Sequence, residues 1–264
     1  MSFSEKPLLG QTVLVTRSET QALPFIQAIE TRGGTAVSTP LLTFRMPSKI
    51  RGIKRALNQL DEYEWIMFTS QNAVEFFLII LERLRYQVED IKKHKIAAIG
   101  KKTESLLHQY GLPVHFSPTE YVAERFVEEF SVVLQEGERV LFPHGNLARD
   151  TIRSGLIEDN KQIDSFVIYE TVPDATHKSK IINLLKNDRI NIITFSSSST
   201  VHFFFELVGT KLLESSSVQF ACIGPITART LETYGFQAHM IANEYTIDGL
   251  VDAIVKKKLE EEIK

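Results

Sequence analysis

A single cysteine, Cys222, is all the thiol chemistry this sequence offers, which excludes an internal disulfide and a cysteine metal cluster. It stands in the apolar stretch Phe220-Ala-Cys-Ile223 and reads as buried filler, a reactive thiol being the alternative. Charge of one sign is scarce as well. The net charge is −3, so no bulk field draws the protein to DNA, RNA or an anionic membrane. The longest apolar run, Phe76–Leu81, falls far short of the ~20 residues that cross a bilayer. Nothing in residues 1–10 reads as a basic segment followed by an apolar one, so secretion is not expected and the compartment reads as cytoplasmic. The seven histidines show no His-x3-His spacing. Dinucleotide and P-loop glycine motifs are missing, and Gly100-Lys101-Lys102-Thr103 lacks the upstream glycine that a P-loop needs. Ser196–Ser199 lack the Gly-x-Ser-x-Gly elbow of a serine nucleophile. No metal and no cofactor is implied.

What is present is a globular balance, 43% hydrophobic and 24% charged over 264 residues, enough for one large domain or two ordinary ones. The chain also repeats itself. Residues 65–77 align with 192–204, Trp65 on Ile192 and Phe77 on Phe204, an offset of 127. Ile96-Ala-Ala-Ile-Gly100 aligns with Phe220-Ala-Cys-Ile-Gly224 at an offset of 124, which also carries Thr103 onto Thr227, Tyr110-Gly111 onto Tyr234-Gly235 and Glu120-Tyr121 onto Glu244-Tyr245. So many matches in order mark a duplication. Val13–Thr16, Trp65–Phe68, Ile96–Ile99, Val140–Phe142, Ile192–Phe195 and Phe220–Ile223 are short apolar runs, the pattern of strands buried on both faces of a parallel sheet. Between them lie helical patterns, two of them starting at Thr103 and Thr227 as caps and stopping at Gly111 and Gly235. Alternating strands and helices predict α/β lobes, each a doubly wound parallel sheet.

Two extended, proline-bearing segments at equivalent places, 38–44 and 165–173, interrupt this pattern and read as paired crossings between lobes. Lobe one is then 1–38 plus 172–264, and lobe two 39–171. In open parallel sheets ligands sit beyond the carboxyl ends of strands, where helix N-termini offer free N–H groups. The loops there, Thr16-Arg17-Ser18, Thr69–Asn72, Gly100–Thr103, Pro143–Asn146, Ser196–Ser199 and Gly224–Thr227, are rich in hydroxyl, glycine and cationic residues. Facing each other across a cleft they would hold a small polyanion. Each loop has a plainer reading, because Ser, Thr and Asn are the favoured helix caps with no ligand involved. Tyr169, in the second crossing, either packs against the hinge or presents a phenol, protonated at neutral pH, to a substrate oxygen.

Over nearly its whole length the sequence resembles the uroporphyrinogen-III synthase family. The resemblance rests on Val13-Leu-Val-Thr-Arg17, Phe68-Thr-Ser70 with Ala73-Val74, Ile99-Gly100 with Thr103, Leu141-Phe-Pro143 with Gly145-Asn146, Val167-Ile-Tyr-Glu-Thr171, Phe195-Ser196 and Ile223-Gly-Pro-Ile-Thr-Ala-Arg229. It implies two flavodoxin-like lobes joined by a two-stranded linker, with hydroxymethylbilane, a linear tetrapyrrole of eight carboxylates, bound between them. The implied reaction is loss of the terminal hydroxyl as water and ring closure with inversion of the last pyrrole, in porphyrin and haem biosynthesis. That makes the protein a lyase that uses no cofactor.

Residue by residue, the resemblance puts Tyr169 where the family's tyrosine assists hydroxyl departure. Thr103, Thr227, Ser70 and Ser197 fall where substrate is met, and Arg17, Lys101, Lys102, Asn146 and Arg149 become carboxylate partners. The chain departs from its relatives at Gln71 and at Ser197-Ser198, where they often carry Phe-Thr-Ser-Pro and Phe-Ser-Pro-Ser, and at Asn72, where some carry arginine. A monomer is expected, since one chain already supplies two lobes, and a transient contact with hydroxymethylbilane synthase is left open. The competing readings are a cytosolic binding module, or a degenerate paralogue, for an anionic tetrapyrrole-like ligand, and a flavin- or nucleotide-binding protein.

Overall fold

Each apolar run of the sequence folds as a strand, and the runs of the two copies form two separate sheets. The structure, a computed structural model, describes residues 6–214 and 216–262. Residues 1–5, part of the segment read above for a leader, and the last two residues of the C-terminal helical pattern lie outside the described residues. The strands are β1 (Thr12–Val15), β2 (Thr35–Ser38), β3 (Leu42–Arg45), β4 (Trp65–Phe68), β5 (Lys95–Ala98), β6 (Arg139–Gly145), β7 (Gln162–Pro173), β8 (Ile192–Phe195), β9 (Gln219–Cys222) and β10 (Met240–Ile241). Their order is β2-β1-β8-β9-β10 in one sheet and β5-β4-β6-β7-β3 in the other. Pairing is parallel throughout the first sheet and from β5 to β7 in the second. Renumbered along the chain, the first sheet runs 2-1-3-4-5 and the second 2-1-3-4 with β3 added at its edge. This is the flavodoxin-like order.

The chain divides into a unit of residues 1–43 with 172–264 and a unit of residues 44–171. The first crossing lies at the far end of the 38–44 segment rather than at 38, because Leu41 is fully buried in the core of the first unit. Beside it, the Asp174 N–H donates to the Leu41 carbonyl (2.9 Å).

Burial on both faces explains the apolar runs. Along β4, Ile66 and Phe68 enter one apolar cluster while Trp65 and Met67 enter another on the opposite face. Along β8, Ile193 and Phe195 face one cluster and Ile192 the other. Helices cover both faces, as parallel strands require. Duplicated positions pack alike: Phe68 meets Phe77 edge-on at 5.4 Å between ring centres, and Phe195 meets Phe204 at 5.4 Å.

Some boundaries move. Lys95 joins β5 because its backbone pairs with Trp65 while its ammonium lies over the Trp65 ring and binds Glu138. β6 runs on through Pro143 to Gly145, which the sequence reads as loop, because β7 continues to pair with it there. Thr103 and Thr227 are not caps. The helices start two residues earlier, at Lys101 and Pro225, behind Gly100 and Gly224, which makes both threonines the third helical residue. The stops hold where expected: Gly111 (φ 69°) and Gly235 (φ 86°) adopt the left-handed backbone that favours glycine.

His115 and His239 occupy duplicated places at the start of each sheet's thin edge. The Ile96 N–H donates to His115 Nδ1 (3.0 Å) and the Phe220 N–H to His239 Nδ1 (3.1 Å). Burial, reinforced by Lys257, holds the His239 pKa below its ordinary value. No helix among the described residues is long and apolar enough to cross a membrane.

Phe77→Ala and Phe204→Ala should each destabilise their own unit by about 3–5 kcal/mol, read as a lower urea midpoint. A second outcome follows from His239, whose folded pKa lies below the unfolded one. The stability it contributes is complete above the ordinary histidine pKa of about 6.5 and declines as pH falls below it. Lowering pH from 7.5 to 5 should therefore shift the urea midpoint less in His239→Gln than in the parent protein.

Candidate functional site

In a doubly wound sheet the strand order reverses next to the first strand, and the loops leaving the two strands at that point diverge to opposite faces. In the second unit the reversal lies between β4 and β6. The chain leaves β4 through Thr69 and Ser70 into the helix Gln71–Arg83. Ser70 is extended (φ −158°, ψ 154°), and its Oγ accepts the Ala73 N–H at 3.1 Å, capping the helix. The serine therefore fills the role that plain helix capping assigns to it.

The register of β6 against β7 shifts between His144 and Gly145, which brings Gly145 opposite Tyr169. The Tyr169 ring lies directly over that glycine: a Cβ at Gly145 would come within 2.5 Å of the ring's Cζ and 2.7 Å of its hydroxyl. Only glycine permits so close an approach. Phe76 stacks on the ring at 5.5 Å and Phe44 meets it edge-on at 5.8 Å. The phenol oxygen ends 3.3 Å from Ser70 Oγ. The structure thus brings Tyr169 and Ser70 together within the second unit.

Asn146 ties the end of β6 to β7. Its amide pairs with Thr171 in both directions, Oδ1 accepting the Thr171 N–H (2.8 Å) and Nδ2 donating to the Thr171 carbonyl (3.2 Å). Its backbone N–H donates to the Tyr169 carbonyl (3.1 Å). It holds β7 through these bonds, and Nδ2 keeps a second hydrogen.

The remaining candidates of this unit flank that pair. Lys101 and Lys102, both exposed at the start of the helix Lys101–Gln109, line a shallow hollow of about 200 Å³ with Gln71, Ser105, Leu106 and Gln109. Thr103, in the first turn, is only 4% exposed. Arg149 lies in a separate hollow of about 420 Å³, with Thr69, Ile99, Tyr121 and Leu147.

In the first unit the reversal lies between β1 and β8. Two buried threonines stitch the strands there: Thr16 Oγ1 donates to the Thr194 carbonyl (2.7 Å) and Thr194 Oγ1 to the Leu14 carbonyl (2.8 Å). Arg17 follows at once, half-buried, and burial lowers its guanidinium pKa from the ordinary value, though the group remains a cation at neutral pH. Ser197 caps the helix Ser198–Val208 in a reciprocal box: its Oγ accepts the Thr200 N–H (3.3 Å) and its N–H donates to Thr200 Oγ1 (3.2 Å). Thr227, 4% exposed, sits in the first turn of the helix Pro225–Glu232.

Each unit therefore presents capped helix N-termini and at least one cation at the carboxyl ends of its strands, a donor surface for anions. Among the described residues no group of three or more His, Cys, Asp or Glu is placed to hold a metal ion. Cys222 is fully buried and its thiol is pushed up to about 12, which makes it filler rather than a reactive group.

A family model described as uroporphyrinogen-III synthase HemD matches residues 24–252. The chain belongs to the uroporphyrinogen-III synthase family. It is 30% identical over 259 residues to the uroporphyrinogen-III synthase of Synechococcus elongatus, covering 95% of this chain and 97% of that one. With the enzyme of Chlorobaculum parvum it shares 29% identity, covering 93% and 98%. In fold it resembles the uroporphyrinogen III synthases of Thermus thermophilus (TM-score 0.63, 16% identity, covering 96% of this chain and 100% of that one) and Helicobacter pylori (TM-score 0.63, 18% identity, covering 96% and 99%). The matched segment contains every candidate residue except Arg17.

Sequence reasoning missed Gly145, Phe76 and Phe44 as the brace of the phenol. Gly145 stood in a family motif and Phe76 in the repeat, but only the register of β6 against β7 joins them to Tyr169. The capping box separates a local role from a ligand role. Ser197→Ala should lower stability by about 0.5–2 kcal/mol, and Ser197→Asp, which still caps, should restore it in a urea titration.

Proposed function

We propose that this protein is a cyclising lyase that converts hydroxymethylbilane to uroporphyrinogen III. The observation that carries this reading is the match to the synthase family along nearly the whole chain. The pyrrole nitrogen of the terminal ring pushes electrons toward the hydroxymethyl carbon, and its C–O bond breaks. The departing hydroxyl takes the Tyr169 proton and leaves as water. The substituted carbon of the last ring then attacks the exposed methylene, forming a spiro intermediate, which reopens and recloses with that ring inverted. The proton lost from the closing pyrrole returns to the phenolate. Atoms and charge balance with one donor near the hydroxyl, and a half-buried phenol beside the N-terminus of a helix suits that place.

Hydroxymethylbilane closes unaided without inversion, so the protein's task is to hold the chain folded. That is catalysis by orientation. The carboxylates go to Arg17, Lys101, Lys102 and Arg149, and to the loops that begin at Ser70, Ser197 and the first turns carrying Thr103 and Thr227. Charge-assisted hydrogen bonds of this kind contribute ~1.5–3 kcal/mol each, and several acting together bias the fold of the bound chain. The same reading makes the protein a cytoplasmic monomer whose contact with hydroxymethylbilane synthase, if any, is transient.

Hydroxymethylbilane generated in situ, incubated with this protein and then oxidised, should yield uroporphyrin III in excess over the protein-free control. Type I alone from folded protein would make it a tetrapyrrole-binding module instead. Tyr169→Phe should lower kcat at least about tenfold with KM little changed, whereas Thr227→Ala should raise KM about threefold and spare kcat. An unaltered kcat for the tyrosine variant removes the phenol from the mechanism.

A further inference from the structure

The resemblance makes Ser70 a residue that meets substrate, and its Oγ also reaches the phenol of Tyr169. A serine hydroxyl has one hydrogen and two lone pairs. One lone pair of Ser70 Oγ is occupied by the Ala73 N–H (3.1 Å), and Tyr169 Oη lies 3.3 Å away. Two arrangements of this contact are possible, with opposite consequences. If the phenol donates to Ser70, its proton is consumed by the protein. If Ser70 donates, the phenol oxygen accepts, and its own O–H is free for a substrate oxygen.

The second arrangement is favoured by what surrounds Ser70. An oxygen that already accepts a hydrogen bond is the better donor, because the two bonds polarise each other. The N-terminus of the helix Gln71–Arg83 stands behind that oxygen and adds its positive end. Both effects push hydrogen from Ser70 toward Tyr169, and both strengthen as negative charge grows on the phenol oxygen.

We propose that Ser70 is a positioning residue that donates to the Tyr169 phenol, aims its proton outward and stabilises the phenolate formed when that proton is given up. This inference rests on the role proposed for Tyr169. The ring cannot turn away from Ser70. Phe76 covers one face, Phe44 abuts it, and Gly145 admits the ring where any side chain would collide. Asn146 fixes the backbone that follows the ring, at the Tyr169 carbonyl and at Thr171. The duplicated serine shows what Ser70 is spared. In the other copy Thr200 replaces Ala73, and its hydroxyl closes the box with the backbone of Ser197. With alanine at 73 there is no second hydroxyl in the turn of Ser70.

The test is a double-mutant cycle on isomer-resolved turnover of hydroxymethylbilane, with Ser70→Ala, Tyr169→Phe and the pair. Ser70→Ala should lower kcat about tenfold and move KM less than about twofold, while in the Tyr169→Phe background it should change kcat less than about twofold. Equal losses in both backgrounds, or a loss expressed in KM, would show that Ser70 acts independently of the phenol and would overturn the inference while leaving Tyr169 in its role. Tyr169→Phe turning over at the parent rate would overturn both.

A separate pair of variants distinguishes donor from cap. Ser70→Asp keeps the cap but has no hydrogen to give at neutral pH, so it should match the parent protein in urea midpoint and still lose about tenfold in kcat. Ser70→Thr, which keeps both functions, should stay within about threefold of the parent kcat. Full turnover by Ser70→Asp would mean that only the helix cap was required.

Discussion

A parallel strand must be covered on both faces, and that requirement organises everything else in this protein. β4 sends alternate side chains into two apolar clusters, and β8 does the same in the other unit. Covering both faces takes helices, and each helix must return the chain to the amino end of the next strand. All the strand-to-helix loops of a unit are thereby gathered at one end of its sheet, with their N–H groups unpaired by the sheet. The candidate residues Ser70, Arg17, Ser197 and the turns of Thr103 and Thr227 are found there as a consequence of how the cores are built. The Ser70 and Ser197 hydroxyls cap helices.

The two copies share this plan and differ in how they use it. Phe77 and Phe204 pack on Phe68 and Phe195 at the same spacing, and His115 and His239 accept equivalent backbone N–H groups. The loop residues have diverged. Lys101 and Lys102 stand where the other copy has Pro225 and Ile226, and Ala73 stands where it has Thr200. The core is held to one solution by packing, since a methylene too many or too few is felt there. Exposed loop positions carry no such constraint and diverge freely.

Two tyrosines of the second unit, Tyr63 and Tyr169, show how place decides chemistry. Tyr63 lies at the amino end of the sheet, donates to Asp164 (3.0 Å) under the Arg139 guanidinium, and has its phenol pushed up to about 12, chiefly by burial. Its proton is committed to a neighbour, and the residue belongs to a structural network of ion pairs around Arg139. Tyr169, at the carboxyl end, meets a hydroxyl that can accept or donate. One phenol is locked and the other can exchange partners.

Much of this was legible in the chain alone. Near-continuous apolar runs mark strands because burial on both faces demands them, and the internal repeat exposes the duplication because packing preserves its apolar pattern. Family motifs placed Tyr169 and Ser70 among the residues of interest. Three things were decided only in three dimensions. The helices begin at Lys101 and Pro225, because glycine in front of them takes the capping position and moves both threonines inside. The first crossing falls at Thr43, because Leu41 finds its core in the first unit. The phenol is braced by Gly145, Phe76 and Phe44, up to 125 positions before it in sequence, and a one-residue shift between β6 and β7 sets Gly145 opposite it. A sequence records which side chains must be buried, because that follows from local pattern. Which of them touch depends on strand register, and register is set by the packing of the whole sheet.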